Sequence, residues 1–183
     1  MSSMEPSGPE AAGRGRTFDV VVLRQDAPAQ PSYWQRFTVP YESDMNVISA
    51  LQKIAALGRT AEGKPVAPVA WDCNCLEEVC GACTMIINGR VRQACTALID
   101  RLLEARPGEI ELRPMTKFPV IRDLVVDRSR MFATLKKIKA WLPVDSYYDI
   151  GAARRQSQEN QQIAYVLSKC MTCGCCLEAC PQY

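Results

Sequence analysis

The sequence predicts an α+β fold in two parts, in which strands packed on one helix are followed by a mainly helical region. Up to residue 113, most apolar runs are rich in β-branched and aromatic residues and are separated by turn signals. Beyond Pro114, the apolar residues recur at helical spacing. The ten cysteines fall into two groups, at residues 73–95 and 170–180, so each part carries one group.

The strands of the first part are indicated by composition and by one turn signal. Residues 17–24 and 34–41 are rich in β-branched and aromatic residues and predict a β-hairpin. A second hairpin is predicted within residues 84–94, because Asn88-Gly89 is a strong signal for a tight turn between two strands. Residues 109–113 alternate between polar and apolar and are expected to form the last strand.

One amphipathic helix is predicted between these hairpins, over residues 46–57. Asp44 or Asn46 can serve as its N-cap, because a side-chain oxygen there can accept a hydrogen bond from the first turn. Gly58 is the expected stop signal. Strands packed on this single helix would then surround the first cysteine group.

The second part is predicted to be helical. Residues 128–142 have apolar side chains at helical spacing, and Pro143 should end that helix. Residues 145–158 are expected to form a connecting loop, and residues 159–169 a second helix that leads into the last cysteines. The lysines at 136, 137 and 139 are interpreted as the solvated side of the first of these helices, in preference to a docking site for a partner.

These patterns divide the chain into a tail and two domains. Residues 1–16 are rich in Ser, Pro, Gly and Ala and predict a disordered tail. Residues 17–115 are expected to form the first domain. Residues 116–183 are expected to form the second, helical domain, which we expect to be incomplete.

The first cysteine group has the spacing of a plant-type 2Fe-2S site. Cys75, Cys80 and Cys83 form a C-x4-C-x2-C run, and Cys95 follows at a distance. Three thiolates on one loop would hold one side of the cluster, and a thiolate from a separate strand would hold the other side. Cys73 does not fit this spacing and is expected to be a buried thiol. A zinc site remains the alternative, although zinc sites more often use paired C-x2-C runs.

The second cysteine group follows the bacterial ferredoxin pattern C-x2-C-x2-C-x3-C-P. In that pattern the first three cysteines, here Cys170, Cys173 and Cys176, bind one 4Fe-4S cluster. The fourth, here Cys180, binds a different cluster. Cys175 falls between these positions and is expected to be a packing thiol. A zinc knuckle is again the alternative.

The ligand count of this second group is incomplete, because the three thiols of the 4Fe-4S pattern need a fourth ligand and Cys180 needs others. Either the chain is truncated or Cys180 folds back to complete a single cluster. We favour truncation, because the chain ends at Tyr183, three residues after Cys180.

Composition narrows the function classes. The formal net charge is +2, from 22 basic and 20 acidic residues, so no general affinity for nucleic acid is expected. The chain contains no histidine, which removes Rieske ligation and histidine-based acid-base catalysis. No apolar run approaches the roughly 20 residues needed to cross a bilayer. Ten cysteines without a secretory signal favour a reducing cytoplasm in which the cysteines bind metal.

The order of the two cysteine groups resembles the iron-sulfur subunits of succinate dehydrogenase and fumarate reductase, in their Gram-positive bacterial form. The likeness extends from about residue 17 to the end of the chain. Beyond the cysteine spacings, it includes residues 71–83, Asn88-Gly89, and residues 95–100, 117–127 and 168–173.

The resemblance implies a fold, a set of cofactors and a set of ligands. The fold would be an N-terminal β-grasp plant-type 2Fe-2S ferredoxin domain followed by a helical bacterial-type 4Fe-4S ferredoxin domain. Cys75, Cys80, Cys83 and Cys95 would bind the 2Fe-2S cluster. The other implied ligands are Cys170, Cys173 and Cys176, which would bind the 4Fe-4S cluster, and Cys180, which would bind a 3Fe-4S cluster. The last two clusters would need ligands beyond residue 183.

The resemblance also implies partners and a role in the tricarboxylic acid cycle and respiratory electron transport. Electrons would leave the FAD of a flavoprotein subunit, pass the three clusters and reach a quinone, expected to be menaquinone, at a cytochrome b-type membrane-anchor subunit. The chain would then lie at the cytoplasmic face of the cell membrane, held there through its partners. It would carry no succinate-oxidising site of its own, since the redox chemistry belongs to the cofactors. The alternatives are a fumarate reductase that runs the relay in reverse, a stand-alone ferredoxin-type carrier and a zinc-stabilised interaction module.

Overall fold

A computed structural model of the chain describes residues 15–142 and 155–183. The predicted tail, apart from its last two residues, lies outside the described residues, as do Pro143 and most of the predicted loop at residues 145–158. The strands are β1 (Thr17–Arg24), β2 (Tyr33–Pro40), β3 (Thr84–Ile87), β4 (Arg90–Gln93), β5 (Glu109–Arg113), β6 (Val120–Arg122) and β7 (Val125–Val126). The helices are α1 (Val47–Leu57), α2 (Ile99–Ala105), α3 (Ser129–Lys137), α4 (Gln158–Ser168) and α5 (Cys175–Ala179).

Five strands form one mixed sheet in the order β2-β1-β5-β3-β4. Both predicted hairpins are present, since β1 pairs with β2 and β3 pairs with β4, in each case antiparallel. The strand expected to be last, β5, lies in the middle of the sheet, parallel to β1 and antiparallel to β3. It is also followed by the short antiparallel pair β6 and β7. The pairing of β5 with β1 and β3 therefore joins the two hairpins into one sheet.

Helix α1 confirms the predicted amphipathic helix and buries its apolar side in the same core as the sheet. Asn46 is its N-cap, because its side chain accepts a hydrogen bond from the Ser49 backbone N–H at 2.9 Å. Asp44 does not cap the helix. Gly58 ends it in the left-handed conformation, with φ of 58°.

Helix α2 is absent from the sequence-based prediction. Its N-cap position is occupied by Leu98, which has no side-chain oxygen for a capping hydrogen bond. The helix has seven residues and buries only Ile99 and Leu102, so its apolar periodicity is too short to stand out.

Helix α3 is shorter than predicted, because it ends at Lys137 and not at residue 142. Lys139 takes a left-handed conformation with φ of 52°, which stops the helical repeat. Phe132, Ile138 and Trp141 are about half exposed. Because helices in proteins are stabilised mainly by packing of their apolar side chains, α3 does not continue to residue 142, where the apolar spacing predicts its end. The second predicted helix is confirmed as α4, within one residue at each end.

A buried ion pair joins the first strand to the segment that follows the sheet. Arg24 donates to Asp123 through Nε at 3.0 Å and Nη2 at 2.9 Å, and the side chains are 1% and 0% exposed. Asp123 also accepts hydrogen bonds from the backbone N–H groups of Gln25 and Ala70. The neighbouring Leu124 packs in the main core. The segment after residue 115 thus contacts the first domain closely, and the boundary at residues 115 and 116 stays a prediction.

The helices can be compared with the length and apolar character that a membrane-spanning helix requires. Within residues 15–142 and 155–183, none of the helices has the length and apolar character needed to span a bilayer.

Replacing Asp123 with Asn is expected to destabilise the fold by about 3–5 kcal/mol, because the charge of Arg24 would then be buried without a counter-charge. Urea unfolding followed by circular dichroism measures this change. The matched control is Glu104→Gln, which breaks the exposed pair of Arg101 and Glu104, with side chains 78% and 66% exposed. The control should cost less than about 1 kcal/mol. Equal effects of the two substitutions would contradict the prediction.

Candidate metal centres

The loop from Cys75 to Cys83 turns its backbone N–H groups towards its own sulfur atoms. The Cys75 Sγ accepts hydrogen bonds from the N–H groups of Glu77 at 3.4 Å, Val79 at 3.3 Å and Cys80 at 3.3 Å. Such an arrangement favours a thiolate, because each N–H points the partial positive charge of its hydrogen towards the sulfur. These bonds lower the pKa of Cys75 to about 7, with the Glu77 N–H as the largest cause.

Three residues of the loop take the left-handed conformation that this wrapping requires. Leu76 has φ of 62°, Glu78 of 57° and Gly81 of 68°. In addition, the Cys80 Sγ accepts a hydrogen bond from the Ala82 N–H at 3.4 Å. This bond fits the expectation that the small residues Gly81 and Ala82 let a backbone N–H approach a sulfur atom.

The four thiols of the first group stand as two pairs. Cys75 and Cys80 are within hydrogen-bonding contact of each other, and so are Cys83 and Cys95. Burial raises the pKa of Cys95 above its usual value.

The sheet and helix α1 hold the second pair in place. Cys83 directly precedes β3 and Cys95 follows β4, and the Ala94 N–H donates to the Cys83 carbonyl at 3.2 Å. The side-chain amide of Asn46 donates to the Cys95 carbonyl at 2.9 Å, while its oxygen caps α1. Asn46 therefore links the helix to the fourth thiol, a role that capping preference alone does not reveal.

Cys73 lies apart from these pairs. It is exposed, so the expectation that it is a buried thiol is wrong. The reason is that residues 72–74 precede the loop on the surface of the molecule. Glu77 and Glu78 are also exposed.

Three cysteines of the second group line a cavity of about 540 Å³. Cys170, Cys173 and Cys176 face this cavity together with the apolar side chains of Met131 and Leu135. The backbone turns sharply between the thiols, with left-handed conformations at Thr172 and Gly174. The three thiols of the bacterial pattern thus share one cavity.

Cys175 and Cys180 have other surroundings. Cys175 points towards the first domain, where the Gln93 Nε2 lies 3.8 Å from its Sγ. Burial raises the pKa of Cys175 to about 12, as expected for a packing thiol. Cys180 follows α5, and its carbonyl accepts a hydrogen bond from the Lys117 Nζ. Thr116 and the Lys117 backbone N–H bind the Glu178 carboxylate and so fasten α5 to the segment after β5.

The chemistry of both donor sets fits iron-sulfur clusters. In a 2Fe-2S cluster two protein ligands serve each iron atom, which matches the two thiol pairs of the first group. The cavity of the second group offers space for a larger cluster beside three thiols. Across residues 15–142 and 155–183, no three His, Cys, Asp or Glu side chains are grouped so that they could hold a single metal ion.

Comparisons with known proteins agree with this donor chemistry. A family model described as "2Fe-2S iron-sulfur cluster binding domain" matches residues 19–133. The succinate dehydrogenase iron-sulfur subunit of Bacillus subtilis (strain 168) is 54% identical over 166 residues, which cover 91% of this chain and 64% of that protein. The fumarate reductase iron-sulfur subunit of Wolinella succinogenes is 33% identical over 170 residues, which cover 91% of this chain and 67% of that protein.

A solved structure is similar in fold. A chain of the Mycobacterium smegmatis Sdh1 complex in the apo form matches with a TM-score of 0.66 and 24% identity, over 90% of this chain and 63% of that chain. The chain therefore spans just under two thirds of the length of the Bacillus protein and of this solved chain. From the matched domain and the similarity to these relatives, the chain belongs to the family of succinate dehydrogenase and fumarate reductase iron-sulfur subunits.

Proposed function

We propose that the chain is the electron-transfer subunit of a succinate:quinone oxidoreductase, which relays electrons from the flavin of a partner subunit to a membrane quinone. The observation that carries this proposal is the contact between the two cysteine loops. A methyl group placed on the Gly81 Cα would lie 2.4 Å from the Cα of Cys173, so the two backbones touch. Two metal centres on adjoining loops suit electron transfer from one to the other.

The proposed ligands of the first centre are Cys75, Cys80, Cys83 and Cys95, bound to a 2Fe-2S cluster. The two thiol pairs and the inward N–H groups support this assignment. Bound iron-sulfur clusters supply one-electron transfer at potentials that hydrogen bonds to sulfur and burial adjust. The chain contributes these hydrogen bonds through the amides of Glu77, Val79 and Ala82.

The proposed second centre is a 4Fe-4S cluster at Cys170, Cys173 and Cys176, and Cys180 would bind a 3Fe-4S cluster. The shared cavity supports the first of these assignments. With them goes the proposed domain organisation, a β-grasp 2Fe-2S ferredoxin domain over residues 17–115 and a helical ferredoxin-like domain over residues 116–183. The five-stranded mixed sheet with α1 in its core supports the first domain.

The proposed partners are an FAD-containing flavoprotein and a cytochrome b-type membrane anchor with bound quinone, taken as menaquinone. Together they would hold the chain at the cytoplasmic face of the membrane. The names of the relatives support membership in a succinate-linked or fumarate-linked complex. The relative at 54% identity is a succinate dehydrogenase subunit, which favours succinate oxidation. The relatives at 30–36% identity include subunits of both enzymes and do not separate the two directions.

Replacing Cys95 with Ala is expected to abolish nearly all of the 2Fe-2S signal, because one iron would lose one of its two protein ligands. Electron paramagnetic resonance of the dithionite-reduced protein, with iron and sulfide counted alongside, measures the loss. Cys73→Ala is the matched control, since it removes an exposed thiol of the same region and should retain the full signal. A signal that survives Cys95→Ala and disappears with Cys73→Ala would overturn the ligand assignment.

The lowered pKa of Cys75 predicts a distinct pH dependence in the cluster-free protein. Its thiolate should be half formed near pH 7, predominate above that pH and be lost below it, because folding favours the charged form. Alkylation by iodoacetamide, followed by mass spectrometry of the Cys75 peptide, measures the thiolate fraction. In concentrated urea the midpoint should rise to about 8.5, the value for a free thiol. An unchanged midpoint in urea would contradict the predicted role of the loop amides.

The proposed relay itself is tested with the flavoprotein partner. When both subunits are co-expressed and purified together, succinate should reduce the first centre to the extent that dithionite does. The Cys95→Ala chain in the same complex is the control and should show no such signal. Reduction by a diffusible reductase in a chain that never associates with a flavoprotein would favour the stand-alone carrier. A colourless protein with stoichiometric zinc would exclude both forms of electron carrier.

A further inference from the structure

A single arginine at the start of α3 contacts both cysteine loops. The Arg128 Nη1 donates to the Gly81 carbonyl at 2.8 Å and to the Thr172 carbonyl at 3.1 Å. We propose that Arg128 is a positioning residue that locks the two cysteine loops together and orients a hydrogen bond to the first metal centre. This inference rests on the proposed function, in which both loops bind clusters.

On the first loop, Arg128 acts through the peptide group between Gly81 and Ala82. The oxygen of this peptide accepts hydrogen bonds from Arg128, from the Thr84 hydroxyl at 2.9 Å and from the Thr84 backbone N–H at 3.4 Å. The N–H of the same peptide donates to the Cys80 Sγ at 3.4 Å. Because a peptide group is planar, donors that fix its oxygen also fix the direction of its N–H. Arg128 thereby helps to hold the Ala82 N–H on the Sγ of Cys80, a proposed cluster ligand.

On the second loop, the contacted oxygen belongs to the peptide between Thr172 and Cys173. Thr172 has φ of 57°, an unfavourable conformation for a β-branched residue that needs support from its surroundings. The hydrogen bond from Arg128 supplies such support. It lies beside the close approach of Gly81 to Cys173, where the absence of a side chain on Gly81 lets the backbones touch. The arginine and the glycine thus fix the same contact from two sides.

The charge of Arg128 is directed at these carbonyl groups. In the described part of the chain, its side chain contacts two carbonyl oxygens and forms no ion pair with a carboxylate. A cation between two thiolate-bearing loops favours electron addition at either centre, because it offsets the added negative charge. The guanidinium can serve two acceptors at once, which suits it to bridge the loops.

The test compares three variants of the full chain carrying the first cluster. Arg128→Met removes the charge and both hydrogen bonds but keeps an unbranched apolar stem. Arg128→Lys keeps the charge on a shorter side chain. Arg101→Met is the matched control, because it removes the same charge from an exposed position on α2.

Two measurements are made on each variant. Redox titration followed by electron paramagnetic resonance gives the midpoint potential of the first centre. Hydrogen exchange followed by mass spectrometry gives the protection of peptides that cover residues 75–83 and 170–176. Neither measurement needs succinate, a flavoprotein or turnover.

With Arg128→Met we expect a more negative potential and about tenfold faster exchange in both loops, the effect of losing one or two hydrogen bonds to a charged donor. Arg128→Lys should restore most of the potential and part of the protection. Arg101→Met should match the unmodified chain in both measurements. If Arg128→Met does not bind the cluster, the test uses Arg128→Lys instead. Hydrogen exchange in both of its loops that is faster than in the unmodified chain again supports the proposal.

The proposal would be overturned if hydrogen exchange in both loops of Arg128→Met were as slow as in the unmodified chain. A shifted potential in that case would show that the charge acts only through space. An equal change in Arg101→Met would also overturn it. These outcomes differ from failure of the proposed function, which would show itself as the absence of a 2Fe-2S signal in the unmodified chain.

Discussion

The buried ion pair of Arg24 and Asp123 is the interaction on which the position of the first cysteine loop depends. Between α1 and β3 the chain runs from residue 58 to residue 83 without a helix or a strand of the sheet, and the cysteine loop lies at its end. Arg24 donates to the carbonyl groups of Ala67 and Pro68, and Asp123 accepts from the Ala70 N–H. Three backbone groups just before the loop are therefore bound to one pair. Because both charges lie in the low-dielectric interior, neither can leave the pair without a large cost.

Much of the structure could be predicted from the sequence, wherever a local pattern decides the outcome. Asn88-Gly89 forms a turn because two successive left-handed residues are needed there, and the hairpin has the expected position. Helix α1 begins at its capped Asn46 and ends at Gly58 as its signals indicate. The spacing of the four thiols of the first group predicts a plant-type 2Fe-2S site. Their role as ligands stays a prediction.

Other features depend on contacts between distant segments, which no local pattern encodes. The central place of β5 follows from its pairing with β1, and a strand's own sequence does not name its neighbours. Helix α2 lacks a capping side chain, and α3 stops where packing ends although its apolar spacing continues. Arg128 looks like an ordinary surface arginine in the sequence. Its contact with Gly81 and Thr172 becomes visible only when the two cysteine loops are brought together.

The central position of β5 has a consequence for how the protein folds while it is being synthesised. During synthesis the hairpin of β3 and β4, which carries Cys83 and Cys95 at its ends, emerges from the ribosome before β5 does. Until residue 113 has left the ribosome, that hairpin has no neighbour in the sheet, and the core around α1 lacks Ile110 and Leu112 of β5. Pairing between strands so far apart in the chain also folds slowly. Cys83 and Cys95 therefore stay open to solvent and oxidants throughout this interval, and their surroundings are complete only after the sheet has closed.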